Sequence, residues 1–218
     1  MNLVDVDGRD GMLIGSGTKQ DPYIVVATYY YQTNSLNKEQ IDGLKAAMAD
    51  YNQSLLKVKD KEGRDVFVSF NLTLQETDNP QEERLKDFFT DLDGNPHYFG
   101  NIVTTEMNNN DRYGYATCLE IGFSISKIQS GIDEGMNAKS LYKGVAIHEI
   151  GHNLGGDHSD KTTVMQSVNT VIYNSMDPNQ NKTLFSYPTF SKAFVKKIFN
   201  RRDSRNSTSI GAIWTKKL

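Results

Sequence analysis

The chain changes its hydrophobic period several times, and each change predicts an element. Tyr23-Ile24-Val25-Val26-Ala27-Thr28-Tyr29-Tyr30-Tyr31, opened by Pro22, is rich in β-branched and aromatic residues and predicts a strand. Ile41, Leu44, Met48, Tyr51 and Leu55 then recur at helical spacing, predicting a helix from about Lys38 to Val58 capped by Asn37 or Ser35. Glu62-Gly63-Arg64 turns the chain, and Val66 to Leu74 alternates as a second strand. Asp78-Asn79-Pro80 starts a short helix from Gln81 to about Thr90, with Leu85, Phe88 and Phe89 as its packing stripe. Ile102 to Met107 predicts a third strand, closed by the polar turn Asn108 to Asp111.

Tyr113 to Cys118 and Glu120 to Ser126 read as two adjacent short strands, followed by a glycine-containing loop from Gln129 to Asn137. A further helix begins near Ser140. Leu141, Val145, His148 and His152 form one stripe along it, and Ile147, Ile150 and Leu154 another. A helix apolar on two sides is buried. Downstream, Asp177 to Lys182 is a loop, Phe190 to about Arg201 a closing helix with Phe190, Phe194, Ile198 and Phe199 inward, and Trp214 pins the tail. Residues 1–21, rich in Gly and Asp, read as an irregular leader or pro-segment remnant. No internal repeat or low-complexity linker divides residues 22–218, so the order of elements fits one α+β domain.

Composition narrows the classes. The 218 residues suffice for one large domain with a full core, and 37% hydrophobic against 23% charged residues describes a globular chain. With 24 basic and 27 acidic residues, the net charge of −3 gives no electrostatic reason to expect nucleic acid. The longest apolar runs fall far short of a membrane span, and no signal segment is visible in this numbering. Cys118 is the single cysteine, so no internal disulfide can form, and a buried small hydrophobe is its expected role.

The candidate chemistry lies in Val145-Ala146-Ile147-His148-Glu149-Ile150-Gly151-His152-Asn153-Leu154-Gly155-Gly156-Asp157-His158-Ser159. On a helix, His148 and His152 stand one turn apart on one face, within reach of one ion. Glu149 projects about 100° away, beside the metal without ligating it. Gly155 can take positive φ, end the helix and turn the chain, and His158 follows where a third imidazole can swing back. Three neutral nitrogens with one open position describe a catalytic zinc site; a structural site would close the fourth position, usually with Cys. A helix whose two His are merely packed or solvated would need five positions to agree by accident.

His148-Glu149-x-x-His152-x-x-Gly155-x-x-His158 resembles the long zinc-binding motif of the metzincin metallopeptidases. Gly151, Asp157 and Ser159 bring it near the matrixin form and the bacterial fragilysin-like enzymes that share it. The resemblance implies a twisted, mostly parallel sheet with an antiparallel edge strand, packed on two long helices. A cleft would divide an N-terminal subdomain, 22–155, from a small C-terminal one, 156–218. It implies that Met165 forms the tight turn beneath the ligands, packing as a soft thioether, with Met176 a weaker candidate. It places Gly114, Tyr115 and Ala116 on the edge strand above the cleft, where unpaired N–H and C=O groups bind an extended peptide. An ordinary edge strand is the alternative there.

The implied activity is a zinc endopeptidase: His148, His152 and His158 hold one Zn²⁺, whose water has a pKa near roughly 7, and Glu149 is the general base. Its partners would be protein or peptide substrates and an inhibitory pro-segment; Asp5, Asp7 and Asp10 read first as turn-forming acids of the leader, with a remnant of such a segment as the alternative, and the expected form is a secreted or cell-envelope monomer. Gln166-Ser167-Val168 departs from the residues matrixins keep after the Met, and no Tyr sits two residues beyond Met165; Tyr173 and Tyr187 are the substitutes on offer, and packing is the expected role of both. Asp91-Leu92-Asp93-Gly94-Asn95 faintly resembles a calcium loop but lacks the twelve-residue ligand pattern and closing Glu of an EF-hand, so it reads as a turn, with a structural Ca²⁺ as the lesser alternative. Two other classes stand beside the peptidase: a non-catalytic zinc-binding or adhesion module, and zinc hydrolysis of a non-peptide amide.

Overall fold

The computed structural model describes residues 11–59, 63–90, 96–107, 111–117 and 119–154, and the backbone of 209–210 and 213–215. The protein is α+β, built on a nine-stranded mixed sheet. At its centre runs β2 (Tyr23–Gln32), whose one edge pairs in parallel with β4 (Asp65–Thr77), from Tyr23 opposite Val68 to Gln32 opposite Thr77. The other edge is shared. β1 (Gly11–Ile14) lies antiparallel to its first half and β7 (Gly100–Glu106) parallel to its second. Beyond β7 come β9 (Glu120–Ser124), parallel, and then β8 (Gly114–Ala116), antiparallel and last in the order. β3 (Leu55–Lys59) borders β4 on the opposite side. β10 (Ser209–Ile210) and β11 (Ile213–Thr215) extend the sheet past β1, and β5 (Phe88–Thr90) with β6 (Pro96–Tyr98) makes a separate hairpin.

The period of two decides which side of β2 is covered: Val25, Ala27, Tyr29 and Tyr31 all enter the core. Two long helices cover it, α1 (Lys38–Asn52) and α4 (Ala138–Asn153); the shorter α2 (Pro80–Arg84) packs on β2 and β7, and α3 (Ile125–Asp133) on α4 and β9. α1 packs on α4 and β4, and α4 on β8 and β9. The helices approach closely at Gly43, where a Cβ would stand 2.6 Å from Tyr142 Cβ and 3.0 Å from the Lys143 nitrogen. Lys143 and Asp50 seal the crossing with a 2.6 Å ion pair. Tyr51, Phe123, Leu44, Ile121, Ile128 and Ile150 are fully buried between these layers. Each such aliphatic or Phe side chain contributes on the order of 1.5–3 kcal/mol of transfer free energy.

Several elements depart from the sequence reading. Gly11–Ile14, expected inside an irregular leader, is the strand β1, because its backbone completes the free half-edge of β2. The first helix stops at Asn52 rather than Val58; Leu55 continues its period by coincidence but is half exposed, and 55–59 hydrogen-bonds to β4 instead. Asn37 makes the N-cap, in a capping box with Gln40. The second helix covers only Pro80–Arg84, and Phe88 pairs with Tyr98 in the β5–β6 hairpin, leaving Leu85 and Phe88 about half exposed rather than packed as a stripe. Ile125–Asp133 is α3 where strand and loop were expected: Ile125, Ile128 and Ile132 repeat at helical spacing and pack inward. The calcium-like turn Asp91–Asn95, Cys118 and the closing helix from Phe190 lie outside the described residues, while the backbone of Trp214 pairs with Met12.

Candidate metal and active site

Helix α4 is held at both ends and in the middle by side chains from other elements. Asn137 caps it by accepting the Ser140 N–H at 3.0 Å. Midway, the buried Tyr51 hydroxyl of α1 donates to the Ile147 carbonyl at 2.9 Å, one residue before His148. At the C-terminal end the Asn153 carboxamide, 1% exposed, accepts from the Tyr29 hydroxyl at 2.7 Å. It donates to Asn101 Oδ1 at 3.0 Å and to the Thr117 carbonyl at 3.3 Å. From Leu141 to Leu154 the side chains on both faces are almost all buried, so the helix is a fixed platform.

On that platform His148 and His152 converge. Their rings stand edge to face, centroids 4.6 Å apart, and the two Nε2 atoms are 3.0 Å from each other. His148 is buried and His152 half-buried, so the pair opens toward the surface on the His152 side. Two nitrogens bound at about 2.0–2.1 Å to one tetrahedral zinc stand roughly 3.3 Å apart. The pair meets that requirement with a shift of a few tenths of an ångström, so the donors present fit the ion. His158, the third expected ligand, and Gly155 lie outside the described residues, as do Met165, Tyr173 and Tyr187. Among the described residues no cluster of three or more His, Cys, Asp or Glu groups could hold a metal.

Glu149 sits next to this pair, 4% exposed. Burial raises its carboxyl from the ordinary value to about 8, and the Arg112 guanidinium only partly opposes that. Edge strand β8 runs against it. A Cβ at Gly114 would lie 2.6 Å from Val145 Cγ1, 2.8 Å from the Gly122 carbonyl oxygen and 3.0 Å from Glu149 Cγ, so only glycine lets the strand come this close. Tyr115 points the other way. Its ring covers Gly122, its hydroxyl meets Thr104 Oγ1 at 2.7 Å, and Arg112 lies over it at 4.6 Å while also pairing with Glu106 at 3.1 Å. Ala116 turns back and packs on the core.

The structure thus brings together His148, His152, Glu149 and Gly114, with Tyr115 and Ala116 fixing the edge strand beside them. Sequence reasoning missed the anchors Tyr29, Tyr51, Asn101 and Asn153. One signal was available: Asn153 is a carboxamide inside a helix apolar on two faces, a place where a polar group needs partners. No family model matches the chain, and no curated protein or solved structure matches it. Among the described residues, no helix is long and apolar enough to cross a membrane.

Proposed function

We propose that the chain is a zinc-dependent endopeptidase of the metzincin type, with His148, His152 and His158 as ligands and Glu149 as general base. The observation that carries the reading is the His148–His152 pair, Nε2 atoms 3.0 Å apart on a rigid buried helix, with Glu149 beside it and an edge strand laid against that acid. The parallel run β4-β2-β7-β9 bordered by antiparallel β8 supports this reading, within a sheet that is mixed overall.

Zinc bound there would lower the pKa of a water to roughly 7 and polarise a peptide carbonyl. Glu149 takes a proton from the attacking water and delivers it to the amide nitrogen as the C–N bond breaks. β8 offers its outer edge to the backbone of an extended peptide, which aligns the scissile bond over the helix. A non-catalytic zinc module has no use for a buried acid beside the ligands, and an amide hydrolase for small molecules has no use for an open edge strand. Secretion and a protein substrate belong to the same reading.

The test is metal analysis of the purified protein together with casein cleavage, with and without a zinc chelator. About one zinc per chain and chelator-sensitive cleavage that returns on adding Zn²⁺ are expected. Cleavage indifferent to chelation, or a protein that takes up no zinc, overturns the reading.

A further inference from the structure

Asn153 carries no role in the mechanism above, yet its buried carboxamide makes three hydrogen bonds to other parts of the chain. Its neighbour in sequence is His152, and its three partners come from three different parts of the sheet. Tyr29 belongs to β2, Asn101 to β7, and Thr117 to the segment leaving β8. Asn101, itself fully buried, carries the link further by donating to the carbonyls of Phe99 and Thr28 at 3.4 and 3.5 Å. We propose that Asn153 is a positioning residue: its carboxamide fixes the last turn of α4 and the end of the edge strand in one frame, setting where His152 points and where the substrate strand lies. The inference rests on the zinc-peptidase reading.

Three features support it. The carboxamide uses its oxygen and its NH₂ at once, so its orientation is determined: rotating it would set its oxygen against two other acceptors, Asn101 Oδ1 and the Thr117 carbonyl. The contacts join elements that are 124, 52 and 36 residues apart in sequence, so they fix tertiary placement rather than local helix geometry. The network lies at the helix end, where a backbone otherwise frays and where the second imidazole is mounted. Groups hydrogen-bonded directly to metal ligands typically govern metal affinity by roughly 10–100-fold, and Asn153 acts one step back, through the backbone that carries His152, so the lower end of that range is expected.

Asn52 supplies the control. It makes two part-buried side-chain bonds to β4, accepting from the Leu72 N–H at 2.8 Å and donating to the Leu72 carbonyl at 2.9 Å, and neither bond reaches α4 or β8. The experiment titrates wild type, Asn153→Ala, Tyr29→Phe, Asn52→Ala and His148→Ala with Zn²⁺ against a chromophoric chelator, and measures the denaturant midpoint of each metal-free protein. Tyr29→Phe removes one hydroxyl and guards against an Asn153→Ala variant that fails to fold. Asn153→Ala and Tyr29→Phe are expected to weaken Zn²⁺ binding by about tenfold. Asn52→Ala should lower the midpoint and leave Zn²⁺ affinity unchanged. The proposal is overturned if Asn153→Ala and Tyr29→Phe bind Zn²⁺ as tightly as wild type, or if Asn52→Ala weakens it equally. A wild type that binds no Zn²⁺, or binds it as well after His148→Ala, removes the zinc reading itself, a result distinct from unaltered affinity in the Asn153 variant.

Discussion

Gly114 and Glu149 are in contact across the strand–helix interface: a Cβ on the glycine would stand 3.0 Å from Glu149 Cγ and only 2.6 Å from Val145 Cγ1. The edge strand and the acid therefore share a fixed spacing. Gly114→Val should force β8 away from α4, destabilising the protein by about 1–3 kcal/mol, the usual cost of overpacking. The same displacement moves the edge proposed to bind peptide relative to Glu149, so kcat/KM on a peptide substrate should fall by more than the lost folded fraction explains. Denaturant unfolding and single-substrate kinetics on the same preparation check both parts. Normal kinetics in a destabilised variant would detach the strand from the site.

The raised carboxyl of Glu149 makes the metal-free protein sensitive to pH. Its folded value is about 8, against an ordinary value of 4.5, so between those pH values the folded state holds a proton that the unfolded state has released. Stability contributed by this group is therefore present at low pH and falls as pH rises through that window. The melting temperature of the chelated protein should drop from pH 5 to pH 8, and Glu149→Gln, neutral throughout, should flatten that slope. A variant that keeps the wild-type slope would show that some other group sets it. Zinc added to wild type should reduce the slope as well, because a nearby cation favours the carboxylate.

Tyr51 ties α1 to α4 through its bond to the Ile147 carbonyl. Tyr51→Phe keeps the ring, including its edge contact with Phe70 at 5.3 Å, and deletes only the hydroxyl. The expected loss is about 1 kcal/mol, the net worth of one buried hydrogen bond, read as a lower urea midpoint at constant slope. The result that contradicts this is an unchanged midpoint.

What was legible in the sequence follows from how local its cause is. Helix α4 was legible because its two apolar stripes and its His–Glu–His spacing lie within one segment. The central strands β2 and β4 were legible because their composition excludes a helix. β3 was not, because Leu55 falls in phase with Tyr51 and only pairing with β4 makes 55–59 extended. β1 is set wholly by a partner edge that lies elsewhere in the chain. α3 hid behind Gly131, whose helical place is fixed by contact with Leu141 and Met136, not by its own propensity. The site divides in the same way. The imidazoles and Glu149 announce themselves by spacing, whereas Tyr29, Asn101 and Asn153 meet only after the sheet has formed.

Metal linkage gives the sharpest test of the ligand set. An ion that binds only the folded chain stabilises it by RT ln(1 + [L]/Kd), which is about 2.7 kcal/mol at a hundredfold excess over Kd. Zn²⁺ should therefore raise the melting temperature of wild type in a concentration-dependent way, and a chelator should reverse the rise. His148→Ala and His152→Ala each remove one of two donors held 3.0 Å apart, so either should abolish most of the shift. Glu149→Ala should keep the shift and lose hydrolysis by at least about 10²-fold, since it removes a proton acceptor and no ligand. His158→Ala discriminates most. A three-imidazole site predicts that it loses the shift as the other two do, and a full shift in that variant would reduce the site to a two-histidine pair and remove the open-coordination argument for catalysis.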